Sequence, residues 1–178
     1  MEFSTVLEER RSIRDYTEGV QITREDLEKM IYAAQQAPSW KNSQTGRYYA
    51  AITESGIASV RSALPEFNAV RTQNAAAYIV TTYKTKISGH DAERCPTDEN
   101  GDAWGAYDLG LQNENLLLKA RELGYDTLIM GLRDSNALIK LFSIPNDEAV
   151  MSVIAVGKRN TDPQKPIRKD IGEILKCI

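Results

Sequence analysis

The order of segments along the 178-residue chain predicts a mixed fold in which helices cover a sheet of about four strands. Two observations carry this. Tyr48–Ile52, Ala76–Tyr83, Thr127–Gly131 and Ala149–Gly157 have strand length and β-forming composition. The segments between them have helical spacing and recognisable starts and stops. Such alternation suits a doubly wound parallel sheet, and equally an α+β sheet with helices on its faces.

Taken in order, Thr5-Val6-Leu7-Glu8 has the spacing of a capping box, with Phe3 placed to staple the first turn. It predicts a helix that runs out near Ser12–Tyr16. Thr23 caps a second helix; Glu25 and Asp26 favour its positive end, and Pro38 ends it. Residues 38–47 are polar and loop-like. Ser55–Asn74 reads as helix interrupted at Pro65. Lys84–Gly101, with Gly89, Pro96 and many charges, reads as an exposed excursion. A long helix follows from Asp102 to Leu123, terminated at Gly124. On it, Trp104, Tyr107 and the Leu116–Leu118 run read as core or interface positions. A helix over Ser135–Phe142 stops at Pro145, and a polar tail follows the last strand.

Composition excludes several classes. Hydrophobic residues make up 42% and charged residues 26%, which leaves no place for a disordered or fibrous chain. A net charge of −3 argues against a nucleic-acid-coating protein. No apolar run approaches the roughly 18 residues needed to span a bilayer. The N-terminal residues are acidic and lack an apolar block, and Cys95 and Cys177 show no Cys-x-x-Cys spacing. A cytoplasmic location is therefore expected, without membrane or nucleic-acid partners. One domain spans 1–178, and its surface-to-volume ratio leaves room for a partner subunit to complete the core.

Two segments carry chemistry. Arg10-Arg11-Ser12-Ile13-Arg14 places three guanidinium groups within five residues, where they repel one another. A polyanion would relieve that repulsion, because guanidinium forks match phosphate oxygens and Ser12 adds a hydroxyl. A solvated basic face fits the same pattern. Pro38-Ser39-Trp40-Lys41-Asn42-Ser43-Gln44 gathers hydroxyls and two carboxamides on a proline-anchored loop. Groups that both donate and accept suit the edge of a heterocycle, and also an ordinary turn. His90 and Cys95 fall far short of a metal site, so no metal is expected. Gly-x-Ser-x-Gly, His-Glu-x-x-His and phosphate-loop motifs are absent, and Gly101, Gly105 and Gly110 lack dinucleotide-fold spacing.

In combination the two segments resemble the nitroreductase family of flavoenzymes, over nearly the whole chain. Arg10–Tyr16 resembles its flavin-phosphate motif, and Ala37–Gln44 its flavin-ring loop. Asn68-Ala69-Val70-Arg71 resembles its Asn-x-x-Lys/Arg pair. Gln112–Gly124, followed by Ile129-Met130-Gly131, resembles its long core helix and glycine turn. The resemblance implies an α+β fold with a central, mostly antiparallel sheet flanked by helices, and a homodimer with a shared active site. It implies FMN, with NAD(P)H as co-substrate and a nitroaromatic, quinone or similar small molecule as acceptor, in ping-pong hydride transfer through flavin N5.

In that picture Arg10, Ser12 and Arg14, with Arg11 beside them, hold phosphate and ribityl oxygens, and Arg168 contacts the phosphate. Pro38, Ser39, Asn42 and Gln44 line the ring, partly from the other subunit. Asn68 and Arg71 face the pyrimidine edge, where a cation stabilises the charge of the reduced flavin. Met130 and Gly131 pack beside the ring. No side chain is a catalytic acid or nucleophile, and the extension 158–178 contacts the partner subunit. The chain departs from the family at Thr45-Gly46, often Pro-Trp, and at Pro166, often basic, where Lys165 is a substitute. The region that builds the family's substrate lid, 84–103, is short. The same fold also serves dehalogenation, flavin fragmentation and ring oxidation. A non-enzymatic anion or nucleic-acid binder using the arginine cluster is a third reading.

Overall fold

The computed structural model describes residues 1–178. Four strands, β1 (Gly46–Ala51), β2 (Ala77–Lys84), β3 (Asp126–Met130) and β4 (Glu148–Gly157), form one sheet in the order β1-β2-β4-β3. Every pairing is antiparallel, which decides between the two architectures in favour of α+β. The pattern of β2 and β4 alternates between two apolar layers, as the two-residue period of a strand requires. Tyr78, Val80, Val153 and Ala155 face one layer with Ile13, Val60, Leu128 and Leu138. Ile79, Ile154 and Val156 face the other with Leu27, Met30, Leu116 and Ala120.

The helices are α1 (Phe3–Glu9), α2 (Arg24–Gln35), α3 (Glu54–Ser62), α4 (Glu66–Arg71), α5 (Ala103–Glu122), α6 (Ser135–Phe142) and the short α7 (Ile171–Ile174). Local signals set most of their ends. Thr23 Oγ1 accepts from Asp26 N at 3.0 Å, Pro65 divides α3 from α4, and Gly124 takes φ +83° after α5. The start of the chain differs from expectation. α1 begins at Phe3 without a side-chain cap and ends at Glu9, Phe3 is exposed, and the chain is extended from Arg10 onward. The reason is non-local: Ile13 N donates to Thr127 O at 3.0 Å and the Ile13 side chain enters the core.

The excursion 84–102 is also more ordered than its composition implies. Ser88, Gly89 and His90 are buried, and the segment closes on itself through Thr97 N to Gly89 O at 2.9 Å. Asp102 stands at the N-cap of α5 as expected, but its side chain accepts from Lys86 N at 2.5 Å rather than from the first turn of the helix. Residues 91–97 remain exposed, as expected.

Tyr16 fixes the exit of the N-terminal strand. It is 2% exposed, and burial, then the nearby charge of Asp126, push its hydroxyl well above the ordinary tyrosine range. Its ring lies against Gly157 at the end of β4. A Cβ at that position would stand 2.6 Å from Tyr16 Cδ1. Gly157→Ala is expected to cost about 1–3 kcal/mol of stability through overpacking, read as a lowered urea midpoint with unchanged slope.

Candidate functional site

Ile13 points into the core, so its neighbours Ser12 and Arg14 point away from it, as alternation along an extended strand requires. Arg14 Nη1 donates to Ser12 O at 3.2 Å, and Arg10 Nε lies 3.6 Å from Glu114 on α5. Arg11 turns elsewhere: it donates to Glu8 O at 2.6 Å and Arg10 O at 2.8 Å, and lines a cleft with Glu8, Arg121, Arg159 and Asp162.

Behind the strand sits Asp126, 4% exposed. Its carboxylate accepts from Arg159 Nη2 at 2.6 Å and Arg121 Nη1 at 3.2 Å, and from Arg159 N at 3.0 Å. Arg121 in turn reaches Glu9 Oε2 at 2.8 Å, and Arg159 reaches Glu9 O at 3.0 Å. The residue just before the cluster is thereby clamped to α5 and to the chain leaving β4. Asn74 Nδ2 donates to Tyr16 O at 3.3 Å, tying the segment after α4, with Asn68 and Arg71, to the segment after Arg14. Asn68 is buried, and the Arg71 guanidinium lies 5.6 Å over the Phe67 ring.

The loop 38–45 is built under strain. Lys41, Asn42 and Gln44 have φ of 46°, 55° and 48°, in the left-handed region, with no glycine among them. Such residues cost about 1–2 kcal/mol each, less for asparagine. Compensation comes from named contacts. Trp40 N donates to Asp108 Oδ2 and Gln44 N to Ser39 Oγ, both at 3.0 Å. The Trp40 ring packs on Trp104 with centroids 4.7 Å apart. A charge-assisted bond of about 1.5–3 kcal/mol, a neutral one of about 1 and an aromatic pair of about 0.5–1.5 match the strain in size. Asp108, 2% exposed, is the anchor, since Ser88 Oγ also donates to it. His90 Nδ1 lies 3.0 Å from Ser88 O, so the excursion and the loop share one polar network. Trp104 Nε1 donates to Asp98 at 2.8 Å, which holds that carboxyl below its ordinary range.

Next to the loop, Gln44, Gly46, Tyr48 and Gln112 line a cavity of about 640 Å3 with Ile31 and Gln35 of α2. Tyr48 OH lies 3.4 Å from Gln112 Oε1, and burial pushes this hydroxyl above its usual range. Trp40 Nε1, Ser43 Oγ, Thr45 Oγ1 and Asn113 Oδ1 are buried without a partner.

The two expected halves attach to different faces of α5. The loop hangs on Asp108 and the arginine strand on Glu114, six residues apart on α5 and so about 120° apart around its axis. Met130 is buried at the end of β3, and a Cβ added at Gly131 would meet nothing within 4 Å. Arg168 lies exposed in the tail, while Lys165 pairs with Glu8. Asp108, Ser88, Asp126 and Arg159 were not singled out by motif. Their only trace is charge or hydroxyl within otherwise apolar surroundings, as in Tyr107-Asp108-Leu109.

The sequence profile of the nitroreductase family matches residues 7–158. The chain belongs to that family. It is 32% identical over 152 residues to a protein of Archaeoglobus fulgidus provisionally named NADH dehydrogenase/NAD(P)H nitroreductase, covering 83% of this chain and 80% of that one. The fold is similar to that of an Exiguobacterium sibiricum protein, assigned as a nitroreductase and solved with FMN. The TM-score is 0.88 at 23% identity, covering 100% and 98% of the two chains. It is also similar to CLA-ER, an enone reductase of gut-bacterial fatty acid saturation, with TM-score 0.86, 23% identity, and 99% and 98% covered.

Asp108→Ala removes the acceptor of Trp40 N and Ser88 Oγ. We expect a loss of about 1–3 kcal/mol together with faster amide exchange across 39–45, measured by hydrogen–deuterium exchange.

Proposed function

We propose that this protein is an FMN-dependent oxidoreductase that uses NAD(P)H to reduce a small-molecule acceptor such as a nitroaromatic or a quinone, and that it works as a homodimer. The observation that carries the reading is the clamped strand: Ser12 and Arg14 alternate with core residue Ile13, with Arg10 at its start, on a segment fixed to β3 and the end of β4. The residues present fit the cofactor. The strand supplies cations and a hydroxyl for phosphate and ribityl oxygens, and Gly131 offers open backbone beside Met130. The buried, unpartnered Ser43 Oγ and Asn113 Oδ1 offer polar contacts of both signs.

In this reading Arg10, Ser12, Arg14 and Arg168 hold the phosphate end, and Asn68 and Arg71 face the pyrimidine edge. Pro38, Ser39, Asn42 and Gln44 come to the ring from a second copy, which removes the separation imposed by α5. Arg11, engaged with two backbone carbonyls, supports the strand. The tail 158–178 docks on the second copy: Ile167, Ile171, Ile174 and Leu175 are exposed on one chain. FMN, when bound, supplies two-electron hydride chemistry between nicotinamide and acceptor. The protein binds, orients and places positive charge near the pyrimidine edge through Arg71. No helix is long and apolar enough to cross a membrane, and two exposed free cysteines fit a reducing cytoplasm.

The purified protein is expected to be yellow, to release FMN on denaturation, and to bleach anaerobically with NADH or NADPH. A colourless protein that takes up no added FMN overturns the reading; a bound flavin that neither nicotinamide bleaches points to a different flavin reaction. Light scattering is expected to give a dimer mass. Arg14→Ala is expected to weaken FMN binding by about 1.5–3 kcal/mol, roughly ten- to a hundredfold in Kd, by fluorescence titration.

A further inference from the structure

A second pocket, of about 370 Å3, opens on the other side of the 38–45 loop, between it and the excursion 84–102. Its walls carry three cations, Lys41, Lys86 and Arg94, beside Trp40, Ser43 and His90. The one carboxylate in the lining, Asp91, already accepts from Cys95 N at 2.8 Å. Asp147, close enough to feel the charge of Arg94, is paired with Lys84 at 3.0 Å. Lys41 Nζ lies 5.9 Å over the Trp40 ring. The pocket therefore holds a surplus of positive charge around an aromatic wall.

The backbone adds an independent observation. Lys41, Lys86 and Arg94 have φ of 46°, 55° and 61°. Only six non-glycine residues of the chain have positive φ, and three of them are these cations. Glycine takes this conformation without strain, and asparagine with little. Long cationic side chains at strained positions around one cavity are better explained by a ligand than by turn formation.

We propose that this pocket is an anion subsite that holds a phosphate or carboxylate group of the small molecule that reacts with the protein. It rests on the oxidoreductase reading above and adds the substrate class: molecules with an anionic arm are preferred to neutral ones. The anion has two possible sources, the 2′-phosphate of NADPH or an acid group on the acceptor.

The test is calorimetric titration of the purified full chain, which needs no flavin turnover. One arm compares 2′,5′-ADP with 5′-AMP, the other 4-nitrobenzoate with nitrobenzene. Wild-type protein is set against Lys86→Gly/Arg94→Gly, where glycine suits the backbone and the melting temperature is expected to hold or rise. In one arm the more anionic member is expected to lose at least tenfold in affinity in the variant, with less than twofold change for its companion. That arm names the source. Lys86→Arg/Arg94→Lys, which keeps the charge, is expected to restore binding. Parallel changes in both members of each pair, or no preference for the anionic member in wild type, overturns the proposal. A colourless protein that still discriminates the anions removes the flavin reading and leaves the subsite standing.

Discussion

The buried carboxylate of Asp126 holds four separate stretches of chain at one point. It opens β3, accepts from Arg121 at the end of α5, and binds both backbone and guanidinium of Arg159 beyond β4. Through these two arginines it fixes Glu9, the residue before the basic strand. A buried charge removed from water costs several kcal/mol unless it is paired and hydrogen-bonded, and here it is satisfied by both partners. Arg10 pairs with Glu114 and Arg11 with two backbone carbonyls, which leaves Arg14 as the strand cation without a carboxylate partner.

Asp108 does the equivalent for the loop 38–45. The two carboxylates lie 18 positions apart, one on α5 and one just beyond it, so a single helix aligns both halves of the site. The same helix keeps those halves on different faces.

Elements decided by neighbouring residues were legible in the sequence. The Thr23 cap, the Pro65 break and the Gly124 terminator each depend on side chains within a few positions. Strand direction was legible only through the family resemblance, which implied a mostly antiparallel sheet; the residue pattern left it open, because β2 and much of β4 are buried on both faces and read as apolar runs under either architecture. The start of the basic strand was hidden for a different reason. Thr5 and Glu8 have capping-box spacing, yet a bridge to Thr127 pulls the chain out of helix. The site's supports were hidden as well: Asp108 meets its partners 20 and 68 positions away. Nor does turn chemistry foresee left-handed Lys41 and Gln44, since glycine or asparagine is what such positions ordinarily recruit.

The contact between Glu9 and Arg159 also sets an order of assembly. A stretch of 150 residues separates the two, and β4, which ends just before Arg159, pairs with both β2 and β3. Closing so long a loop requires the intervening sheet to form first, because the entropy of closure must be met before the contact returns anything. The basic strand is therefore among the last segments to be locked, after the sheet to which it is clamped. Until then its three arginines lack the fixed spacing that the clamp at Glu9 imposes on them.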